Sequence, residues 1–318
     1  MADNIIEDGG FRYESLQDWA KFPDEEGWDL IEASGVAVDS NDNVYVMNRG
    51  QHPIIVFDRD GNFLRSFGEG EFDRRAHGIC ASPDDFIWTV NDNQHCVKKY
   101  TPDGKLVLTI GKQYEPAEKW SGDPFNTPTN VAISPVSGDV YITDGYGNSR
   151  VHRYAPDGRH IVSWGEAGVG PGEFQIPHNV VVDGDEQVFV NDRENSRVQV
   201  FDKNGVLQAI WPYLYRPQAL AMDRNGLIYV GEQIQIQELF DHPALGHRLN
   251  VLSHDGKLLA HLGALERGDG PKEFIAPHGM AVDSQGNLYV GEVSFVNLGR
   301  RFDPPVYYKV FRRLTRLG

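Results

Sequence analysis

From Gly35 onward, short apolar runs alternate with polar turns built on Asp-Gly or Asp-x-x-Gly. The clearest stretch is Ile176 to Arg197, where Val180 to Val182 meets a turn at Asp183-Gly184-Asp185 and Val188 to Val190 leads back. That pattern predicts two antiparallel strands. A hairpin returns to the end it left, so His178 before the first strand and Arg193 after the second belong to one side of the sheet. The unit recurs six times, opening at Gly35-Val-Ala-Val-Asp39, Gly78-Ile-Cys-Ala-Ser82, Asn130-Val-Ala-Ile-Ser134, Asn179-Val-Val-Val-Asp183, Ala219-Leu-Ala-Met-Asp223 and Gly279-Met-Ala-Val-Asp283. Each opening leads through a Tyr-Val-like second strand and a polar loop to a third strand. A second set of turns, at Asp60-Gly61, Asp103-Gly104, Asp157-Gly158, Asn204-Gly205 and Asp255-Gly256, leads to a fourth. The spacing of roughly 40 to 60 residues is that of propeller blades.

The last repeat reaches a third strand at Val306 to Phe311 and has no fourth. Near the start, Phe11, Tyr13, Ser15, Leu16 and Trp19 alternate loosely, and this Phe11 to Trp19 segment would supply the missing strand. Closing the ring in that way removes exposed edges. The expected fold is therefore all-β, one six-bladed β-propeller domain over residues 1–318 with an N-terminal strand in its last blade. Insertions are expected at Gln113 to Asn126 and Gln233 to Leu249, the second containing Asp241-His-Pro-Ala-Leu-Gly-His247. That insertion and the tail Phe295 to Pro305 would serve as a lid or a subunit contact.

Composition narrows the function. With 30 Lys and Arg against 46 Asp and Glu the formal charge is −16, which argues against nucleic acid, since phosphate binding needs a basic face. Arg300-Arg301 and Arg312-Arg313 read as solvated or structural. No window approaches the roughly 18 apolar residues of a membrane helix, and the start Met1-Ala-Asp-Asn-Ile-Ile-Glu-Asp lacks a secretion signal. No membrane partner and a cytoplasmic location are expected. Cys80 and Cys96 fall on the first and third strands of one sheet, which are not neighbours, so two free thiols are expected.

The residues just before the six first strands are Ser34, His77, Thr129, His178, Gln218 and His278. Histidine occupies alternate blades, and first strands line a propeller's channel, so three imidazoles should converge at one mouth. Three neutral imidazoles with an open side describe a catalytic metal site, zinc or iron being the best match. The other histidines, His52, His95, His152, His160, His242, His247, His254 and His261, read as residues of surface turns and strands with no role in the site. The ends of the second strands share that mouth: Asn48-Arg49, Asp92-Asn93, Asp144-Gly145-Tyr146, Asp192-Arg193, Glu232-Gln233 and Glu292-Val293. Two arginines, Arg49 and Arg193, suit a small anionic substrate, because guanidinium holds a carboxylate in a fork. A cation beside Tyr146 stabilises its phenolate, which could then serve as general base. Arg150 and Arg197, within the Asp-x-x-Asn-Ser-Arg pattern, read as builders of their loops.

The six repeats resemble NHL repeats. The motifs Ala76-His77-Gly, Thr143-Asp-Gly-Tyr146-Gly-Asn-Ser-Arg150, Pro177-His178-Asn, Asn191-Asp-Arg193-Glu-Asn-Ser-Arg197 and Pro277-His278-Gly resemble peptidyl-α-hydroxyglycine α-amidating lyase, the lyase half of peptidylglycine amidating monooxygenase. The likeness covers nearly the whole chain and is strongest from about Phe125 to Phe201. It implies a zinc on His77, His178 and His278, with Fe2+ or Co2+ as alternatives, a catalytic tyrosine at Tyr146, and active-site arginines at Arg193 and Arg49. The implied reaction cleaves the C–N bond of a peptidyl-α-hydroxyglycine to a peptide amide and glyoxylate. Two positions depart from the family, which has Met where this chain has Ala276 and Asp where it has Gly279. That Asp helps hold a structural calcium in the family, so the resemblance does not carry Ca2+ across.

Three functions are consistent with these residues. A zinc lyase on a carbinolamide acid comes first. A metal-dependent hydrolase of a lactone, ester or amide on the same three histidines is the runner-up, although lactonase propellers usually bind calcium through oxygens, which a hard cation prefers. A non-catalytic NHL binding propeller is third, and it would leave the alternating histidines unexplained. Physiological substrate, metal identity and oligomeric state stay open at this stage.

Overall fold

The turn aspartates explain why the hairpins form where they do. Asp183 Oδ1 accepts the backbone N–H of Asp185 at 2.9 Å and of Gln187 at 2.8 Å, closing the loop on itself as Asx turns do. Asp58, Asp202, Asp223 and Asp283 hold their own turns in the same way. In the Asp183 turn the left-handed residue is Glu186, with φ of 60°, and not Gly184.

The computed structural model describes residues 3–233 and 245–318, so part of the expected insertion at Gln233 to Leu249, with His242, lies outside the described residues. Antiparallel strands build six sheets, the blades of a β-propeller. The chain divides into two compact units. One unit comprises Met1–Val38, Asp42–Ser66 and Gln218–Gly318. It contains blade one (Ala33–Val38, Val44–Asn48, Ile54–Phe57, Phe63–Phe67), blade five (Pro217–Met222, Ile228–Glu232, Leu249–Leu252, Leu258–Leu262) and blade six. The other unit comprises Asp39–Asn41 and Phe67–Pro217. It contains blade two (Ala76–Ala81, Ile87–Asn91, Cys96–Tyr100, Leu106–Gly111), blade three (Asn130–Ile133, Val140–Asp144, Arg150–Tyr154, His160–Trp164) and blade four (Pro177–Val182, Val188–Asp192, Arg197–Phe201, Leu207–Trp211).

Second strands are buried along their whole length, as in Val188–Asp192 and Val44–Asn48, whereas the fourth strand Leu106–Gly111 is mostly exposed. A strand covered on both faces reads as a continuous apolar run, which is why the Tyr-Val pattern stood out. Blades three and four pack through one cluster containing Tyr141, Val151, Trp164, Phe174, Val180, Val188, Val190 and Phe201. Cys80 and Cys96 are free, on nonadjacent strands as expected. Burial pushes the Cys80 thiol up to about 11.

Blade six corrects one expectation and bears out another. Its third strand is Phe311–Arg316, not Val306 to Phe311. The second strand Leu288–Glu292 ends at Glu292, whose N–H donates to Val310 O at 2.8 Å, so residues before Val310 run past its end with no strand to pair with. The closing strand is Phe11–Leu16, paired antiparallel with Phe311–Arg316, and a fifth strand, Ile5–Asp8, lies outside it. Trp19, beyond the closing strand, packs on Tyr289 with ring centroids 5.0 Å apart. No helix among the described residues is long and apolar enough to cross a membrane.

First strands of blades six and one approach closely. A Cβ placed on Gly279 would lie 2.5 Å from Gly35 Cα and 2.8 Å from Val36 N, both backbone atoms. Backbone cannot swing aside as a side-chain tip can. Gly279→Ala is therefore expected to lower unfolding free energy by about 1–3 kcal/mol, read from the midpoint of denaturant unfolding; an unchanged midpoint would show that the strands can part at no cost.

Candidate metal centre

Each candidate histidine is placed by a β-bulge. Pairing runs Pro177 with Asp192 and then Asn179 with Asn191, so His178 is the extra residue; His77 and His278 are skipped in the same way between Ala76 and Gly78 and between Pro277 and Gly279. Ser34 takes that place in blade one. A bulge bends its strand and re-aims one side chain. The histidines therefore lie within the first strands, not before them.

The bulge fixes the rings as well. His77 Nδ1 lies 2.6 Å from Thr129 O, and His278 Nδ1 lies 2.6 Å from Ser34 O. A carbonyl only accepts, so both Nδ1 atoms must carry a proton, which in the neutral ring leaves the lone pair on Nε2. The polar residues of the other blades join similar contacts: Thr129 Oγ1 donates to Pro177 O and Gln218 Nε2 to Pro277 O, each at 2.8 Å. Within one unit the His77 and His178 rings lie with centroids 5.0 Å apart, and all three histidines are buried. Imidazole nitrogens are donors that suit a borderline-soft divalent ion such as zinc.

Tyr146 is seated among them. Its hydroxyl lies 2.9 Å from His77 Nε2 and 3.1 Å from His178 Nε2. With a single proton, it can donate to only one of the two at a time. The loop carrying Tyr146 is made by its own motif. Asp144, fully buried, accepts from Asn126 N and from Asn148 Nδ2 at 2.9 Å. Glycines flank the tyrosine because a Cβ on Gly145 would lie 2.2 Å from Pro177 O, and one on Gly147 2.0 Å from Asn126 Oδ1.

Arg193 lies over the Tyr146 ring, its Cζ 5.4 Å from the centroid, with Nη1 3.5 Å from the hydroxyl. Its Nε donates to Glu194 Oε1 at 2.8 Å. Glu194 also takes two bonds from Arg216, at 2.7 and 3.0 Å. Burial alone would push the Glu194 carboxyl up, but Arg216 and Arg193 together hold it below the usual range. Glu194 sits inside a motif visible in the sequence; Arg216 sits in none. Arg49 follows the second strand of blade one and donates to Glu32 Oε2 at 2.9 Å.

Arg197 donates to the buried Asp192 at 2.7 Å and to the backbone of Gly170 and Glu173, which matches its reading as a loop builder. Two other histidines depart from the surface reading. His152 is fully buried between Asp144 Oδ2 at 3.3 Å and Ser163 Oγ at 2.7 Å, and His247 is buried with Nε2 donating to Leu265 O. Both sit where a blade's interior offers an acceptor, a tertiary feature that local pattern does not reveal.

Comparison with known proteins agrees with the repeat and the motifs. The NHL repeat pattern matches residues 125–154 and 174–201. Peptidylglycine alpha-amidating monooxygenase of Rattus norvegicus is 28% identical over 328 residues, covering 89% of this chain and 31% of that protein. Peptidyl-alpha-hydroxyglycine alpha-amidating lyase 1 of Drosophila melanogaster is 32% identical over 211 residues, covering 60% of this chain and 37% of that one. The chain spans less than a third of the length of the monooxygenases it matches. A solved gluconolactonase from Xanthomonas campestris shares the fold, with a TM-score of 0.61 at 14% identity over 97% of this chain and 91% of that one.

Zinc-loaded chain is expected to hold about one ion per molecule, as three protein ligands with one open position would. His178→Ala should lose that ion in metal analysis after gel filtration, whereas Tyr146→Phe should keep it. Full retention by the His178 variant would exclude it as a ligand.

Proposed function

We propose that this NHL-repeat propeller, which resembles the amidating lyase, is a metal-dependent lyase acting on a small carbinolamide acid. The observation that carries the reading is the Tyr146 hydroxyl, 2.9 Å from His77 Nε2 and 3.1 Å from His178 Nε2 beneath the Arg193 guanidinium. Zinc on His77, His178 and His278 would supply Lewis acidity toward the substrate hydroxyl. Arg193 binds the substrate carboxylate as a charge-assisted pair. Tyr146, beneath that same guanidinium, acts as the base that takes the hydroxyl proton. As the proton leaves, the C–O bond becomes a carbonyl, the C–N bond breaks, and the nitrogen picks up a proton to leave as the amide; the other product is glyoxylate. The buried position of the imidazoles keeps bulk water away, which favours elimination over hydrolysis.

The relatives' names support the lyase class, and three all-nitrogen donors speak against the oxygen-ligated calcium of typical lactonases. Hydrolysis of a lactone, ester or amide on the same histidines is the alternative that an assay must exclude. Arg49 is assigned a lesser part, shaping the site's charge through its pair with Glu32.

Incubation of zinc-loaded chain with α-hydroxyhippurate should release glyoxylate, and Tyr146→Phe should slow that release about 10²–10⁴-fold with metal content unchanged. Release of glyoxylate by the variant at the parent rate would remove the base assignment. Turnover of simple lactones with none of α-hydroxyhippurate would favour the hydrolase.

A further inference from the structure

The Glu194 carboxylate lies between two guanidinium groups, accepting from Arg193 Nε at 2.8 Å and from Arg216 Nη2 at 2.7 Å on Oε1, and from Arg216 Nε at 3.0 Å on Oε2. Arg216 is itself held in place. Its side chain is 20% exposed, its N–H meets Ser196 Oγ at 3.4 Å, and its backbone takes a left-handed φ of 43°. A bulky residue keeps that conformation only where its surroundings require it. Arg193 is more deeply covered, at 9% side-chain exposure. Holding Nε on one side fixes the plane of its guanidinium and leaves Nη1 toward the Tyr146 hydroxyl.

We propose that Glu194, braced by Arg216, is a positioning residue that holds the Arg193 guanidinium over Tyr146 so that its Nη edge meets the substrate carboxylate. The inference rests on the lyase reading for its substrate and deepens it, since neither Glu194 nor Arg216 need touch the substrate. Without the carboxylate, two like charges would face each other and Arg193 would swing away. Charge and orientation make opposite demands here. If Glu194 acted through charge alone, its loss would leave two cations and tighten anion binding; a positioning role predicts weaker binding.

Calorimetry on the full, zinc-loaded chain separates the two, with hippurate as the anionic probe and its uncharged amide as control. Parent protein should prefer hippurate, and Arg193→Met should erase that preference. Glu194→Ala should weaken hippurate about 10-fold, the worth of one oriented charge-assisted bond, and leave the amide unchanged. Glu194→Gln, which keeps an oxygen for Arg193 Nε, should recover part of the loss, and Arg216→Met should fall between parent and Glu194→Ala. Unchanged or tighter hippurate binding in Glu194→Ala, equal loss of both probes, or a parent with no preference would each overturn the proposal. Glyoxylate release is read separately. A parent that prefers hippurate in the predicted pattern but yields no glyoxylate would sink the lyase reading and leave the positioning role standing.

Discussion

One extra residue in the first strands of blades one, two, four and six governs where this chain presents its chemistry. The bulge that skips His77, His178 and His278 is a backbone device, since Ser34 occupies it as well. What histidine adds is a ring whose Nδ1 finds a neighbouring carbonyl, at Thr129 for His77 and at Ser34 for His278. That single bond chooses the tautomer, orients the ring and turns the other nitrogen's lone pair outward from the strand. Ligand geometry is thus inherited from sheet construction, with no dedicated loop to build it.

The ends of the second strands supply the complementary constraint. Asn48, Asp92, Asp144, Asp192, Glu232 and Glu292 are all buried there. Four of them accept N–H groups of the segment that leads into the first strand: Ile31 on Asn48, Asn126 on Asp144, Gln175 on Asp192, and Ile275 with Ala276 on Glu292. Buried carboxylates are costly unless paired, and these are paired with backbone donors and with arginines such as Arg75, Arg197, Arg248 and Arg312. Five of the 46 acidic residues thus serve as internal scaffolding at the ends of the second strands. In blade four, Asp192 ties the segment entering the His178 strand to the strand that leads to Arg193.

Much of this was legible from residue order because the blades repeat a turn chemistry: an aspartate that satisfies two backbone donors announces itself at Asp58, Asp183, Asp202, Asp223 and Asp283. The alternation of histidine was legible for the same reason, as one position sampled six times. Blade six resisted reading because Phe311–Arg316 looks too basic for an inner strand. Arg312 is 1% exposed there and is paired with Glu292, a partner that no hydropathy pattern can reveal. Ile5–Asp8, with two apolar residues and one partner strand, gave almost no signal. The bracing of Arg193 was hidden too, since Glu194 and Arg216 meet only through the loop geometry between blades four and five.

The contact between Gly279 and Gly35 bears on how this site could change over time. Each position already carries the smallest residue there is, so neither can shrink to make way for growth in the other. An acidic ligand beside His278 is therefore out of reach of any one-step or paired exchange at these two sites, and would demand that two strands be laid further apart. The neighbourhood of His278 is in that sense sealed by backbone, and diversification of this site would have to come through the loops that carry Tyr146 and Arg193.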